Sequence, residues 1–147
     1  MITTKKGDEG QSHFLGKVID KNSPLLEAVG NIDELQSILE LIRVDEKIID
    51  DLGKIMGELA CDIKFKELDL RIKWMDEKID SVKQNLDKFV KFKGRKALKL
   101  NWARTVCRRV ERRIVSLSKK QKVDGDILIY FNRLSDYLFL KAIKEEK

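Results

Sequence analysis

The sequence of 147 residues is poor in several residue types that particular protein classes require. It has one histidine, two cysteines and one proline, and aromatic residues make up 7% of it. A lone histidine, His13, without other ligands around it argues against a histidine metal centre or a histidine-activated nucleophile. Both cysteines, Cys61 and Cys107, lie in helical patterns, which favours buried free thiols over a disulfide and indicates a reducing compartment.

Long apolar stretches and recognisable targeting sequences are also missing. No apolar stretch could span a bilayer and no signal-peptide pattern is present, so we expect a cytoplasmic protein without a membrane partner. The Walker spacing G-x-x-x-x-G-K-[ST] does not occur. Hydrophobic residues make up 42% and charged residues 38%, which predicts one ordered domain over residues 1–147.

Charge is abundant and unevenly distributed. Residues 95–122 contain eleven Lys or Arg against one Glu, a net charge of +10. Because the whole chain carries +6, the rest of it is about −4. A basic region on a nearly neutral body indicates an anionic partner, which leaves a nucleotide, a nucleic acid or an acidic membrane surface as candidates.

The basic region centres on a stretch with a helical period, residues 101–117. Arg104, Arg108 and Arg112 recur every fourth residue on one side, so one polyanion could touch all three. Glu111, one turn from Arg108, could hold that guanidinium in place, and arginine forks fit phosphate oxygens. A solvated basic face is the alternative reading. The apolar residues fall on the other side: Trp102, Ala103, Val106, Cys107, Val110, Ile114 and Leu117.

The remaining chain predicts an all-α protein, a five-helix bundle in a ferritin-like up-down arrangement. Residues 1–23 are non-helical, and their Lys- and Gly-containing loop at 5–12 is either an ordinary turn or a cradle for phosphate. Ser23-Pro24 predicts a helix start. Apolar stripes then mark helices over 25–42, 48–63 and 72–89, with a stop at 92–94, before the arginine-rich helix and a last helix from 127. No stretch is a convincing strand.

Separated stretches resemble one family, the ATP:cob(I)alamin adenosyltransferases of the propanediol-utilisation type. They are residues 4–10 (TKKGDEG), 27–35 (EAVGNIDEL), 103–112 (ARTVCRRVER) and 130–139 (YFNRLSDYLF), with a fainter match at 57–60. The third and fourth together make the resemblance specific. It implies a homotrimer with sites between subunits, and transfer of the 5′-deoxyadenosyl group of ATP to cob(I)alamin with release of triphosphate. Mg²⁺ accompanies the ATP.

The resemblance also implies roles for particular residues, although it assigns no metal ligands. Asp33 would pair with Arg104 between subunits, Arg108 would act on the nucleotide, and Phe89 would displace the lower axial ligand of the corrinoid. These four are the predicted catalytic residues. The implied ATP-binding set is Thr4, Lys5, Lys6, Gly7, Ser12, Lys21, Arg108, Glu111, Arg112 and Asn132.

Departures from the family pattern lie mainly on the corrinoid side, where residues 89–94 lack the usual proline and Asn101 replaces a histidine. Two other functions therefore stay open: a non-catalytic nucleotide- or corrinoid-binding relative, and a basic helical nucleic-acid-binding module. The second is disfavoured because Glu111 interrupts the arginines and no aromatic platform accompanies them. An adenosylcobalamin-dependent enzyme and a cobalamin reductase are the candidate protein partners.

Overall fold

A computed structural model describes residues 1–82 and 90–146, and over these residues the chain is mostly helical. The five predicted helices are confirmed, and a short hairpin precedes them. The elements are β1 (Gln11–Phe14), β2 (Lys17–Asp20), α1 (Pro24–Leu41), α2 (Glu46–Cys61), α3 (Leu68–Asp80), α4 (Arg95–Ser118) and α5 (Gly125–Glu146).

The start of α1 follows the sequence signal closely. Pro24 occupies the first turn, and the Ser23 hydroxyl accepts a hydrogen bond of 3.2 Å from the Leu26 amide. The serine side chain accepts from one of the amides that have no partner within the helix, and the proline beside it has no amide hydrogen that would need a partner. The predicted boundary is therefore confirmed, and the non-helical segment 1–23 ends where the sequence indicates.

Helix α4 is the centre of the packing. It packs most extensively against α5 and then against α1, while α3 lies on α5 and α2 on α1. One continuous apolar core runs through all five helices. Its largest fully buried side chains include Tyr130, Phe131, Ile32, Leu35, Leu39, Ile48, Leu52, Ile55, Met75, Leu100 and Ile114. This arrangement leaves α4 with an outer surface on which its arginines lie.

A buried polar contact ties α2 to α3 and α5. Asp51 is fully buried and accepts a hydrogen bond of 3.0 Å from the Tyr130 hydroxyl. Arg71 Nε lies 3.1 Å from Asp51 Oδ1, without the alignment of a hydrogen bond. Burial raises the pKa of Asp51, and Tyr130 and Arg71 offset that rise only in part. The ion pair is therefore a costly feature of an otherwise apolar core.

Several helix boundaries and faces differ from the prediction. Ile63 lies beyond α2, because Asp62 adopts a left-handed conformation that ends the helix, and Val82 lies beyond α3. Trp102 is 48% exposed, since it sits on the flank of the buried arc of α4 rather than inside it. Cys61 is exposed at the end of α2, whereas Cys107 is buried, and both thiols are free. The predicted residues Leu86 and Phe89 lie outside the described residues.

The expectation of no strand is wrong for residues 11–20. Strands β1 and β2 pair antiparallel, with Gln11 opposite Asp20 and Phe14 opposite Lys17. The turn consists of Leu15 (φ 51°) and Gly16 (φ 76°), and two successive positive φ values are typical of the tight hairpin turn. The signal was missed because each strand has four residues and leucine stands where asparagine usually does.

No helix among residues 1–82 and 90–146 is both long and apolar enough to cross a membrane.

Candidate functional site

The N-terminal loop is folded back on itself by one lysine. Lys21 Nζ donates a 2.7 Å hydrogen bond to the Gly7 carbonyl, and the Lys21 amide donates one of 2.9 Å to the carbonyl of Gly10. A Cβ at position 7 would lie 3.0 Å from Lys21 Nζ, so glycine permits this close approach. The structure thus brings together two predicted nucleotide ligands, Gly7 and Lys21.

The other predicted residues of this segment lie on the same loop or on β1. Thr4, Lys5 and Lys6 are exposed, and Ser12 is half-buried in β1 opposite Ile19. Lys5 has a φ of 60°, in the left-handed region that non-glycine residues seldom adopt. A glycine-containing loop that carries exposed Lys5 and Lys6 and is held by Lys21 is suited to an anion.

The predicted arginine face of α4 is present. Arg108 and Arg112 are exposed, and among the described residues neither forms an ion pair or a side-chain hydrogen bond. Arg104 is half-buried, donates a 2.9 Å hydrogen bond to Asn101 Oδ1, and lies 5.8 Å from the centre of the Phe139 ring. Burial lowers the pKa of Arg104, and the charge of Arg108 lowers it further, so an anion near both would be stabilised.

Contacts between α4 and α5 place the last predicted ligand beside this face. Cys107 Sγ donates to the Phe131 carbonyl at 3.3 Å, so the following residues, Arg108 and Asn132, are exposed next to that contact. Burial raises the pKa of Asp136, while the charges of Arg133 and Arg108 act in the opposite direction. The carboxylate of Asp136 therefore lies in the field of Arg108.

Glu111 does not hold the Arg108 guanidinium as proposed from the sequence. Within residues 1–82 and 90–146 no ion pair joins the two side chains, although they are one turn apart. Glu111 is half-buried, and its charge acts on the Cys107 thiol, whose pKa is raised mainly by burial. The guanidinium of Arg108 is left to solvent or to a ligand.

The opposite flank of α4 is occupied by acidic residues of α1. Arg109 Nε donates a 2.6 Å hydrogen bond to Asn31 Oδ1, and its Nη2 pairs with Glu34. Arg113 Nε lies 3.9 Å from Glu27 Oε2. These two arginines join α4 to α1.

The two halves of the predicted site form no direct polar contact among the described residues of one chain. No hydrogen bond or ion pair in the described ranges joins the loop at 4–12 to Arg108, Arg112 or Asn132. Asp33 is exposed on α1, and across the same ranges its carboxylate forms no ion pair with Arg104 or with another cation. Phe89 lies outside the described residues.

Sequence reasoning missed the contacts of two residues around this face, Arg133 and Phe139. Arg133 Nε donates a 2.7 Å hydrogen bond to Asp76 Oδ1 of α3, and its Nη1 donates one of the same length to Asn132 Oδ1. Phe139 packs its ring against both Phe92 and Arg104. The quoted stretch 130–139 contains both residues, but Asp76, Phe92 and Arg104 are distant in sequence and no local pattern indicates them.

A cavity of about 930 Å³ lies away from the arginine face, between the end of α2 and the connection from α4 to α5. None of the predicted site residues lines it. Its charged residues largely neutralise one another, since Lys64 Nζ pairs with Asp124 and lies 3.5 Å from Glu58 Oε1. Over residues 1–82 and 90–146, no cluster of three or more His, Cys, Asp or Glu residues is arranged to hold a metal.

Fold and site together define a helical-bundle protein with an arginine-lined surface and a lysine-containing loop suited to a polyphosphate. The chain belongs to the cobalamin adenosyltransferase family, whose model matches residues 2–145. A corrinoid adenosyltransferase of Bacillus subtilis is 34% identical over 166 aligned positions, which cover 96% of this chain and 84% of the relative.

Solved structures agree with this assignment. A variant PduO-type ATP:co(I)rrinoid adenosyltransferase from Lactobacillus reuteri, complexed with ATP, superposes with a TM-score of 0.86 at 34% identity. The match covers 99% of this chain and 94% of that one. A second variant of that type, complexed with cobalamin and ATP, gives 0.85 at 33% identity and covers 97% and 89%.

Proposed function

We propose that this chain is an ATP:corrinoid adenosyltransferase that transfers the 5′-deoxyadenosyl group of ATP to cob(I)alamin. The electron pair of cobalt(I) forms the new bond to C5′, and the C5′–O bond breaks with its electrons leaving on triphosphate. The cobalt is thereby oxidised to cobalt(III). Because cobalt(I) is itself the nucleophile, the protein has only to position ATP, stabilise the leaving group and exclude water.

The observation that carries this proposal is the unneutralised arginine face of α4. Arg108 and Arg112 lie one turn apart, exposed, and without an acidic partner among the described residues. Bidentate guanidinium groups at that spacing match a triphosphate better than a single phosphate. We assign Arg108, Arg112, Glu111 and Asn132 to the nucleotide site, with Arg108 on the leaving group.

The N-terminal segment 1–23 completes the nucleotide site in this proposal. Lys21 and Gly7 are already in contact, and Thr4, Lys5, Lys6 and Ser12 lie on the same segment. Mg²⁺ would bind mainly to the phosphates, as is usual for this ion, so a dedicated cluster of protein carboxylates is not required. Amide exchange over residues 4–12 should slow at saturating MgATP, and unchanged exchange would count against this role.

We further propose a homotrimer of up-down, ferritin-like bundles with sites between subunits. Its support is that no hydrogen bond or ion pair among the described residues joins the loop to the arginine face. In the same residues, Asp33 and Arg104 each lack an opposite charge. An Asp33–Arg104 pair across the interface would satisfy both. Sedimentation that gives a fully active monomer would exclude this assembly.

On the corrinoid side we assign Phe89, the aromatic residue that the family resemblance indicates. The position precedes residues 90–94, which lead into α4. Phe92 of this segment packs on Phe139, whose ring also contacts Arg104. An aromatic ring that displaces the lower axial ligand would leave cobalt four-coordinate. The visible spectrum of bound cob(II)alamin with ATP should report that change, and Phe89→Ala should weaken it.

The deciding experiment is turnover with chemically reduced cobalamin and MgATP, followed by the loss of the cob(I)alamin absorbance. Adenosylcobalamin and triphosphate should form in equal amounts. Binding of ATP without transfer would indicate a non-catalytic relative instead. Steep salt-dependent affinity for nucleic acid with no ATP binding would favour the basic-module alternative.

A further inference from the structure

We infer that Glu146, in the last turn of α5, is a positioning residue for the corrinoid side of the site. It holds residues 93–94, through which the chain enters α4. The inference rests on the function proposed above and goes beyond it, because it assigns a role to the far end of α5, outside every family motif.

The contact itself is made by three hydrogen bonds to one carboxylate. The Lys93 amide donates to Glu146 Oε1 and Oε2 at 3.0 and 3.1 Å, and the Gly94 amide donates to Oε2 at 2.9 Å. Helix α4 begins after Gly94, which has no side chain to cap it. A carboxylate at a helix N-terminus satisfies orphan amides and suits the positive end of the helix dipole. Glu146 thus caps α4 from another helix.

The position of Glu146 is unfavourable for α5 taken alone. A carboxylate in the last turn faces the negative end of its own helix. The adjacent Glu145 has the same disadvantage, but its partner is Lys96, at 2.9 Å in an exposed ion pair. The contact with α4 offsets this cost for Glu146, and the pair of neighbouring glutamates supplies a matched comparison.

The other side of the contact is shaped to admit the carboxylate. A Cβ built on Gly94 would lie 3.2 Å from Glu146 Oε2, closer than ordinary van der Waals contact. The φ of Gly94 is −66°, so alanine would be free of backbone strain there and would act only by crowding the carboxylate. Gly94→Ala therefore disturbs the same contact without changing any charge.

The contact lies one residue from a chain of packed aromatic side chains that ends in the site. Phe92 is buried and meets Phe139 edge to face, with ring centres 6.0 Å apart. The other neighbour of Phe139 is the Arg104 guanidinium, at 5.8 Å. Glu146 therefore fixes residues 93–94 of the segment 90–94, which we place on the corrinoid side and whose Phe92 packs toward the Arg104 surroundings.

The test compares Glu146→Ala, Glu146→Gln and Gly94→Ala with the control Glu145→Ala. Glu146→Ala should raise the KM for cob(I)alamin at least fivefold and leave the KM for ATP within twofold of the parent. Gly94→Ala should raise the corrinoid KM by a smaller factor. Glu146→Gln should fall between parent and alanine, because an amide oxygen still accepts a hydrogen bond. Glu145→Ala should match the parent in both constants.

Amide exchange at residues 93 and 94, with melting temperature as the folding control, shows whether the contact, the positioning role or the proposed function is wrong. Exchange in Glu146→Ala that equals the parent would overturn the contact itself. Faster exchange with an unchanged corrinoid KM, or with both KM values raised alike, would overturn the positioning role. A parent that binds ATP but never transfers the adenosyl group would overturn the proposed function and this role with it, while exchange would still report the contact.

Discussion

The two arginine-bearing flanks of α4 consist of neighbouring residues, but they differ in whether they form ion pairs with the rest of the described chain. Arg109 and Arg113 meet Asn31, Glu34 and Glu27 of α1. Arg108 and Arg112 meet no acid among the described residues. The comparison shows that the number of arginines does not locate an anion site. We expect a triphosphate to bind the flank whose arginines form no ion pair with the rest of the described chain.

Arg108→Lys and Arg109→Lys give the largest expected contrast between the flanks. Loss of the bidentate fork at Arg108 should cost roughly 1.5–3 kcal/mol in transition-state stabilisation, about ten- to hundredfold in rate. Arg109→Lys should keep most of the activity, since an ammonium can still pair with Glu34. The measurement is adenosyl-transfer rate against ATP concentration, with melting temperature as control. A folded but inactive Arg109→Lys beside a parent-like Arg108→Lys would reverse the assignment of the flanks.

Asp33→Asn tests whether the unneutralised flank is completed by another subunit. If Asp33 pairs with Arg104 across an interface, the variant should lose activity by roughly tenfold, in line with about 1.5 kcal/mol for a bond to a charged group. Unfolding at low protein concentration should change little, because Asp33 is exposed on its own chain. Glu34→Asn on the same helix is the matched control and should affect stability more than activity. Equal activity of parent and Asp33→Asn would remove the interface argument.

For the free energy of unfolding we expect the opposite order, with the larger loss for a substitution at Arg109 than for one at Arg108. Arg109→Ala removes a 2.6 Å hydrogen bond and an ion pair whose side chains are 36% and 44% exposed. Solvent screening limits the loss to about 1 kcal/mol in the free energy of unfolding. Arg108→Ala should stay within about 0.5 kcal/mol of the parent. Urea unfolding without ligand measures both, and a larger loss for Arg108→Ala would show that this flank has a structural role.

We expect the smallest effect at the ion pair between Asp51 and Arg71, whose carboxylate is fully buried. The pKa of Asp51 in the folded chain is raised by burial, so the native state holds a proton there more tightly than the unfolded state. The parent therefore loses stability as the pH rises from the pKa of Asp51 in the unfolded chain through its raised pKa in the folded chain. Asparagine at 51 does not titrate, so the stability of Asp51→Asn relative to the parent should increase over that acidic range. The opposite slope in urea unfolding would mean that attraction to Arg71 outweighs burial.

The sequence was informative wherever the cause of a structure is local. Ser23 and Pro24 fix the start of α1 through their own hydrogen bonding and φ preference. Arg104, Arg108 and Arg112 share a flank because the helix repeats every 3.6 residues. The contact of Lys21 with Gly7 joins two residues that the family resemblance places in one ATP-binding set.

Features that depend on another element could not be predicted. Arg109 binds Asn31 and Glu34 because α1 packs on that side of α4, and no pattern within residues 101–117 indicates these partners. Trp102 was assigned to the core because a helical wheel does not show how wide the buried arc is. Glu146 at the end of α5 has no local reason to face residues 93–94. The hairpin was missed because Leu15 is an unusual residue for a position with positive φ.

The bond from Lys21 to the Gly7 carbonyl has a consequence for how the nucleotide segment responds to an anion. An ammonium has three N–H donors, and one of them is already engaged with the loop. When the remaining donors bind phosphate oxygens, the loop is drawn to the anion by the same cation that binds it. In the proposed nucleotide site, binding of the anion and wrapping of the chain around it would therefore be one event, and we expect a small monoanion that needs no wrapping to gain little from this lysine.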